Sequence, residues 1–67
     1  MKVRAWKSGP LSEHDPTYWI SIQPYDAEAG RFKPPWVLQI ETARAIFGSV
    51  VDEIEERHRD IKLTMTL

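Results

Sequence analysis

Hydrophobic and polar residues alternate from the first position. Met1, Val3 and Ala5 fall on one side, and Lys2, Arg4 and Trp6 on the other. A period of two marks a half-buried strand. A polar stretch punctuated by Ser8-Gly9-Pro10 and His14-Asp15-Pro16 follows, and alternation resumes from Thr17 to Gln23. There Tyr18, Ile20 and Ile22 point one way, and Trp19, Ser21 and Gln23 the other. Their β-branched and aromatic content suits a pleated, half-buried surface. Residues 26–30, Asp-Ala-Glu-Ala-Gly, read as a turn in which Gly30 supplies a positive φ. The chain returns through Phe32, is interrupted at Pro34-Pro35, and continues as a strand from Trp36 to Glu41, with Trp36, Leu38 and Ile40 inward. Neither proline can donate to a ladder, which predicts a sheet edge or a bulge at that point.

The period then changes. Ala43, Ile46, Phe47, Val50, Val51 and Ile54 recur at helical spacing and form one apolar stripe. Thr42 reads as the N-cap, its hydroxyl placed to accept from a first-turn amide. The helix is expected to end near His58, with Arg57, His58 and Arg59 complementing its dipole. Gly48 in mid-helix costs about 1 kcal/mol relative to alanine, which implies close packing on the sheet. The last run is the cleanest: Ile61, Leu63, Met65 and Leu67 alternate with Lys62, Thr64 and Thr66.

The order strand, strand, strand, helix, strand predicts an α+β fold in a single domain spanning residues 1–67. It is a small β-β-β-α-β arrangement in which one helix packs on one face of a four-stranded sheet. A chain of 67 residues has no material for a second covering layer. The other sheet face must meet water or a partner.

Composition narrows this picture. A domain this short buries only about 60% of the surface of its unfolded chain, so its stability is marginal. Without cysteine there is no disulfide framework and no thiolate metal site. Seven aromatic residues argue against disorder. Apolar runs never exceed three residues, so a transmembrane helix or signal-peptide core is not expected, and a cytoplasmic address is the default. Nine Lys and Arg against ten Asp and Glu give a net charge of -1, which excludes a strongly basic nucleic-acid binder.

The uncovered face is expected to carry Lys2, Arg4 and Trp6; Trp19, Ser21 and Gln23; Val37 and Gln39; and Lys62, Thr64 and Thr66. Two tryptophans and three cations thus share one surface. Trp6 and Trp19 would at minimum pair across strands for stability. Tryptophan and arginine are also enriched at interface hot spots, so the leading expectation is a non-enzymatic protein-interaction module. Lys2, Arg4, Trp6, Trp19 and Lys62 are its candidate partner-binding residues. The alternative is a nucleic-acid-binding module on the same face, rings stacking on bases and cations meeting phosphates. Its few cations weigh against it, since each neutralised phosphate needs its own charge. The proline-free C-terminal strand, if it lies at an edge, offers its free amides to a second copy; the open sheet face is another route to a homodimer.

Asp52, Glu53, Glu55, Glu56 and Asp60 gather at the helix end. A solvated helix face is the ordinary meaning of such a run. The functional alternative is mimicry of nucleic-acid charge, inhibiting a DNA- or RNA-binding protein. Glu13-His14-Asp15 and the pair Glu55/His58 are too few and too adjacent for a metal site. No phosphate-binding glycine loop or nucleophile motif is present, so neither a cofactor nor an enzymatic activity is expected.

Overall fold

The computed structural model describes residues 1–10 and 14–67, which leaves Glu13 and its part of the Glu13-His14-Asp15 triplet outside the described residues. The first alternating run becomes β1 (Lys2–Ser8) and the second becomes β2 (Trp19–Asp26). The return is split into β3 (Arg31–Phe32) and β4 (Trp36–Gln39), and β5 (Leu63–Thr66) closes the chain. All four strand pairings are antiparallel: β5 lies beside β1, β1 beside β2, and β3 and β4 share the far edge of β2. The class is α+β, with five strands and two helices among the described residues in place of the expected four and one.

Between β2 and β3 the predicted turn forms as expected. Asp26 Oδ1 accepts the amides of Glu28 and Ala29 at 3.0 and 3.2 Å, and Gly30 takes φ 69°. β3 and β4 are one returning strand broken by a bulge. Along β4 the paired residue numbers sum to 58, as in Ile20↔Leu38; along β3 they sum to 57, as in Tyr25↔Phe32. One extra residue has been inserted at 33–35, which is what a bulge does. Pro34 and Pro35 sit in that insertion, while Pro24, which also lacks an amide proton, stands opposite it on β2. The prolines are thus collected where the ladder needs no donor.

The expected single helix is two. α1 (Ile40–Phe47) begins directly at the end of β4, and α2 (Val50–Glu56) follows after two residues. Gln39 occupies the N-cap position without a side-chain bond, so Thr42 is an exposed helical residue and not a cap. Gly48 ends α1 with φ 68° and ψ -145°, its amide donating to Arg44 O at 2.9 Å. A Cβ built there meets nothing within 4 Å. Close packing on the sheet is therefore not the reason for the glycine; a backbone conformation closed to other residues is. The break also redirects the stripe: Ala43, Val51 and Ile54 are buried, whereas Ile46 is 61% exposed. α2 stops at Glu56, short of His58, which lies exposed in the following turn beside Asp60.

The core forms between the helices and one face of the sheet. Val3, Ala5, Ile20, Ile22, Ala43, Val51 and Ile54 are buried, with Tyr18, Leu38, Phe47, Leu63 and Met65 packed around them. Trp36, Ile61 and Leu67, expected inward, are exposed at the margins, beyond the reach of the short helices. Two polar devices hold the helices in place. Arg44 Nη2 reaches Asp52 at 3.0 Å and Glu55 at 2.7 Å, joining α1 to α2. Lys7 Nζ donates to the backbone carbonyl of Glu55 at 2.8 Å, capping the end of α2 from β1. Among the described residues, no helix is long and apolar enough to cross a membrane.

Candidate interaction face

The ladder register places Lys2, Arg4 and Trp6 of β1 and Trp19, Ser21, Gln23 and Tyr25 of β2 on the sheet face away from the helices. Thr64 and Thr66 of β5 and Val37 and Gln39 of β4 join them. Lys62, just ahead of β5, turns to the same side, its Nζ 4.5 Å from the Trp6 ring centroid. All five candidate residues, Lys2, Arg4, Trp6, Trp19 and Lys62, therefore share one face. They do not form one cluster. Lys2 and Trp19 stand at opposite ends of the β1–β2 ribbon, about 20 Å apart at the usual rise per residue.

Three groupings occupy this face. At one end Tyr25 and Phe32 meet edge to face with centroids 5.1 Å apart. Arg4 Cζ lies 4.2 Å from the Phe32 centroid and Lys2 Nζ 4.8 Å from that of Tyr25. Gln23 Oε1 accepts from Arg4 Nε and Nη2 at 3.0 and 2.9 Å, which fixes the guanidinium over the ring. Such cation–π contacts contribute about 0.5–1 kcal/mol each at exposed sites. In the middle, Lys62 covers Trp6. At the far end Trp19 is 37% exposed and Val37 is 55% exposed, diagonal to it across the β2–β4 pair. Among the described residues, no cation–π or ring contact engages Trp19.

Trp6 and Trp19 do not face each other. Trp6 is opposite Ser21 and Trp19 opposite Ser8, so the two indoles are diagonal neighbours. The serines between them form their own link: Ser21, fully buried although it lies on the open face, shares a hydrogen bond with Ser8. This hydroxyl pair satisfies the buried oxygen at no cost to the ladder.

Tyr25 and Phe32 are members of this face that the strand alternation, read only as far as Gln23, does not include. Tyr25 required the second strand to run two residues past Gln23, and Phe32 required the bulge. The alternation of Tyr25 with Gln23 was the signal that could have found the first.

Clefts border both ends. One of about 240 Å3, lined by Thr17, Tyr18, Trp19, Gln39, Ile40 and Glu41, runs beneath Trp19. Another of about 350 Å3 lies along Asp26, Arg31, Phe32, Lys33 and Pro34. On the helix side of the sheet, burial pushes the Tyr18 phenol above its ordinary range; the Glu55 carboxylate adds to the effect and Arg44 opposes it. Lys7 Nζ lies 4.7 Å from the Tyr18 ring centroid. In the loop before β2, the hydroxyl and amide of Thr17 hold the Asp15 carboxyl below its ordinary range.

The acidic patch is partly neutralised from within, since Asp52 and Glu55 both bind Arg44. Glu55 and His58 are not brought together as a ligand pair: His58 turns to Asp60. Among the described residues, no three His, Asp or Glu side chains converge as a metal-binding group.

No protein-family model matches this chain, and neither a curated protein nor a solved structure is measurably similar to it.

Proposed function

We propose that the chain is a small non-enzymatic protein-interaction module, working in the cytoplasm, that binds a protein partner through the Trp19 end of its open sheet face. The observation that carries this reading is the contrast between the rings. Trp6, Tyr25 and Phe32 each have a cation over them, while Trp19 stands half-open beside the exposed Val37 and above a cleft. An indole that is rigidly based, apolar and unoccupied is the residue type that dominates binding hot spots. Lys62, over the neighbouring Trp6, supplies a polar rim on that side, while Lys2 and Arg4 lie towards the other end of the face.

The same contrast disfavours a nucleic-acid site. A base can stack only on a free ring face, and three of the four aromatic groups here already hold an intramolecular cation. The cations are in turn turned toward the rings and away from any phosphate.

The discriminating experiment is a tryptophan-fluorescence titration with single- and double-stranded oligonucleotides at about 50 and 200 mM salt. The expected result is no saturable quenching at either salt. Saturable quenching that weakens steeply with salt overturns the proposal in favour of nucleic acid. The positive arm is partner capture by the unaltered chain, Trp19→Ala and Lys62→Ala. Capture lost with Trp19→Ala and kept with Lys62→Ala supports the proposal, and the reverse order refutes it.

A further inference from the structure

β5 lies at the edge of the sheet, paired only with β1 among the described residues. Which of its backbone groups are free follows from the terminal pair. Met1 N donates to Leu67 O and Leu67 N to Met1 O, both at 2.8 Å, so Met1↔Leu67 is a hydrogen-bonded pair. In an antiparallel ladder these pairs alternate with non-bonded ones. Met65 and Leu63, opposite Val3 and Ala5, therefore also bond to β1. The N–H and C=O groups of Lys62, Thr64 and Thr66 point outward, away from the sheet.

That edge is unguarded. It has no proline, no bulge and no acidic side chain, and the ammonium of its one cation is drawn over Trp6 instead of projecting along the edge. The opposite edge is guarded: Pro34-Pro35 and the bulge interrupt it, and α1 begins directly after β4. The β5 edge is also self-complementary. Read outward from Thr64, the segment Ile61-Lys-Leu-Thr-Met-Thr-Leu67 alternates apolar and polar symmetrically. Ile61 and Leu67 at its two ends are 47% and 41% exposed.

We infer that β5 pairs with β5 of a second copy of this chain, antiparallel about a two-fold axis through Thr64. In this register Thr64 faces the partner copy's Thr64 and Lys62 faces its Thr66, all through the outward backbone groups. Ile61 meets Leu67 and Leu63 meets Met65 on the helix side, joining two half-exposed apolar rows into one. No like charges are opposed. An edge of this length buries less than the about 800 Å2 per partner of a standard interface. The dimer is therefore a reversible one, at the weak, micromolar end of protein association. This inference is independent of the Trp19 reading, since the open face and the edge are different surfaces.

Sedimentation equilibrium between about 5 and 500 μM spans that range. The unaltered chain is expected to pass from 7.8 kDa to twice that mass. Thr64→Pro removes an outward N–H that β1 does not use, so it should stay folded by circular dichroism and remain a monomer throughout. Thr64→Cys supplies a readout that does not depend on the proline variant folding. Bonded cross-strand Cα atoms lie about 5.5 Å apart, within disulfide reach, and the chain has no other cysteine. Thr64→Cys should thus oxidise to a dimer, while Thr66→Cys, whose two copies would stand about 14 Å apart, should not. A chain that stays monomeric at the highest concentration overturns the inference. So does a folded Thr64→Pro that still dimerises, or cross-linking of Thr66→Cys in preference to Thr64→Cys. Trp19→Ala is expected to leave the dimer unchanged, which separates this surface from the open face.

Discussion

Replacing Gly48 by alanine distinguishes two helices from one by the sign of the effect. Were the segment a single helix through position 48, Gly48→Ala would stabilise it by about 1 kcal/mol. In the structure Gly48 has φ 68° and ψ -145°, a region nearly closed to L-residues, and a Cβ there touches nothing within 4 Å. The penalty is therefore pure backbone strain, about 1–3 kcal/mol. Against it stands a smaller gain, about 0.4–1 kcal/mol, from the stiffer unfolded chain. The net expectation is a loss of about 1–2 kcal/mol. At about 4–8 °C per kcal/mol for a domain of this size, the melting temperature should fall by about 4–16 °C. A D-alanine analogue at the same position inverts the argument. Its preferred backbone angles are the mirror image, so the strain vanishes and only the unfolded-state gain of about 0.4–1 kcal/mol is left. The chain is short enough for total synthesis, and both analogues can be followed by circular dichroism in urea and on heating. A rise in melting temperature for L-alanine would refute the helix break. Equal destabilisation by both enantiomers would show that side-chain volume, not backbone hand, decides at this position.

Three further outcomes follow from the polar devices around α2 and the open face. Lys7→Met keeps most of the aliphatic stem but removes the charge-assisted bond to Glu55 O, and should cost about 2 kcal/mol in urea denaturation; a change below about 0.5 kcal/mol would mean the cap contributes nothing beyond an ordinary surface contact. Tyr18 should titrate above the ordinary tyrosine range by absorbance near the phenolate band, and Tyr18→Phe should abolish that late component. Because the folded state holds this proton more tightly than the unfolded chain does, the corresponding stability is present below the unfolded phenol pKa of 10.0 and is lost as pH rises through the folded one. Arg4→Ala should release Gln23 and uncover Phe32, at a cost of about 1 kcal/mol measured by thermal melting, while Arg4→Lys, which lacks the planar fork, should recover only part of it.

Much of the architecture was legible because the sheet is half covered. When one face packs and the other does not, alternation along each strand is forced, and Val3/Ala5 and Ile20/Ile22 separate cleanly from Arg4/Trp6 and Trp19/Ser21. The helical region was less legible for the opposite reason. An apolar stripe at i, i+3 and i+4 continues through Gly48 whether the backbone does or not, and glycine suits both a close helix–sheet approach and a positive φ. Ile46, the residue whose exposure reports the break, is as apolar as its buried neighbours.

What the sequence determined by itself is the partition of the strands into two faces, the turn at Asp26–Gly30 and the interruption of the returning strand at Pro34-Pro35, all consequences of local geometry and a period of two; Pro24, read there as a break, instead lies inside β2 opposite Val3. What only the tertiary structure decided is which residues meet on the open face. Phe32 has the same parity as Leu38 and would point inward along an unbroken strand. The single residue inserted at Pro34-Pro35 shifts its pairing to Tyr25 and turns it outward, under Arg4 and Lys2. A register shift between two strands leaves no trace in the alternation of either one, because it is a relation between strands that are distant in sequence.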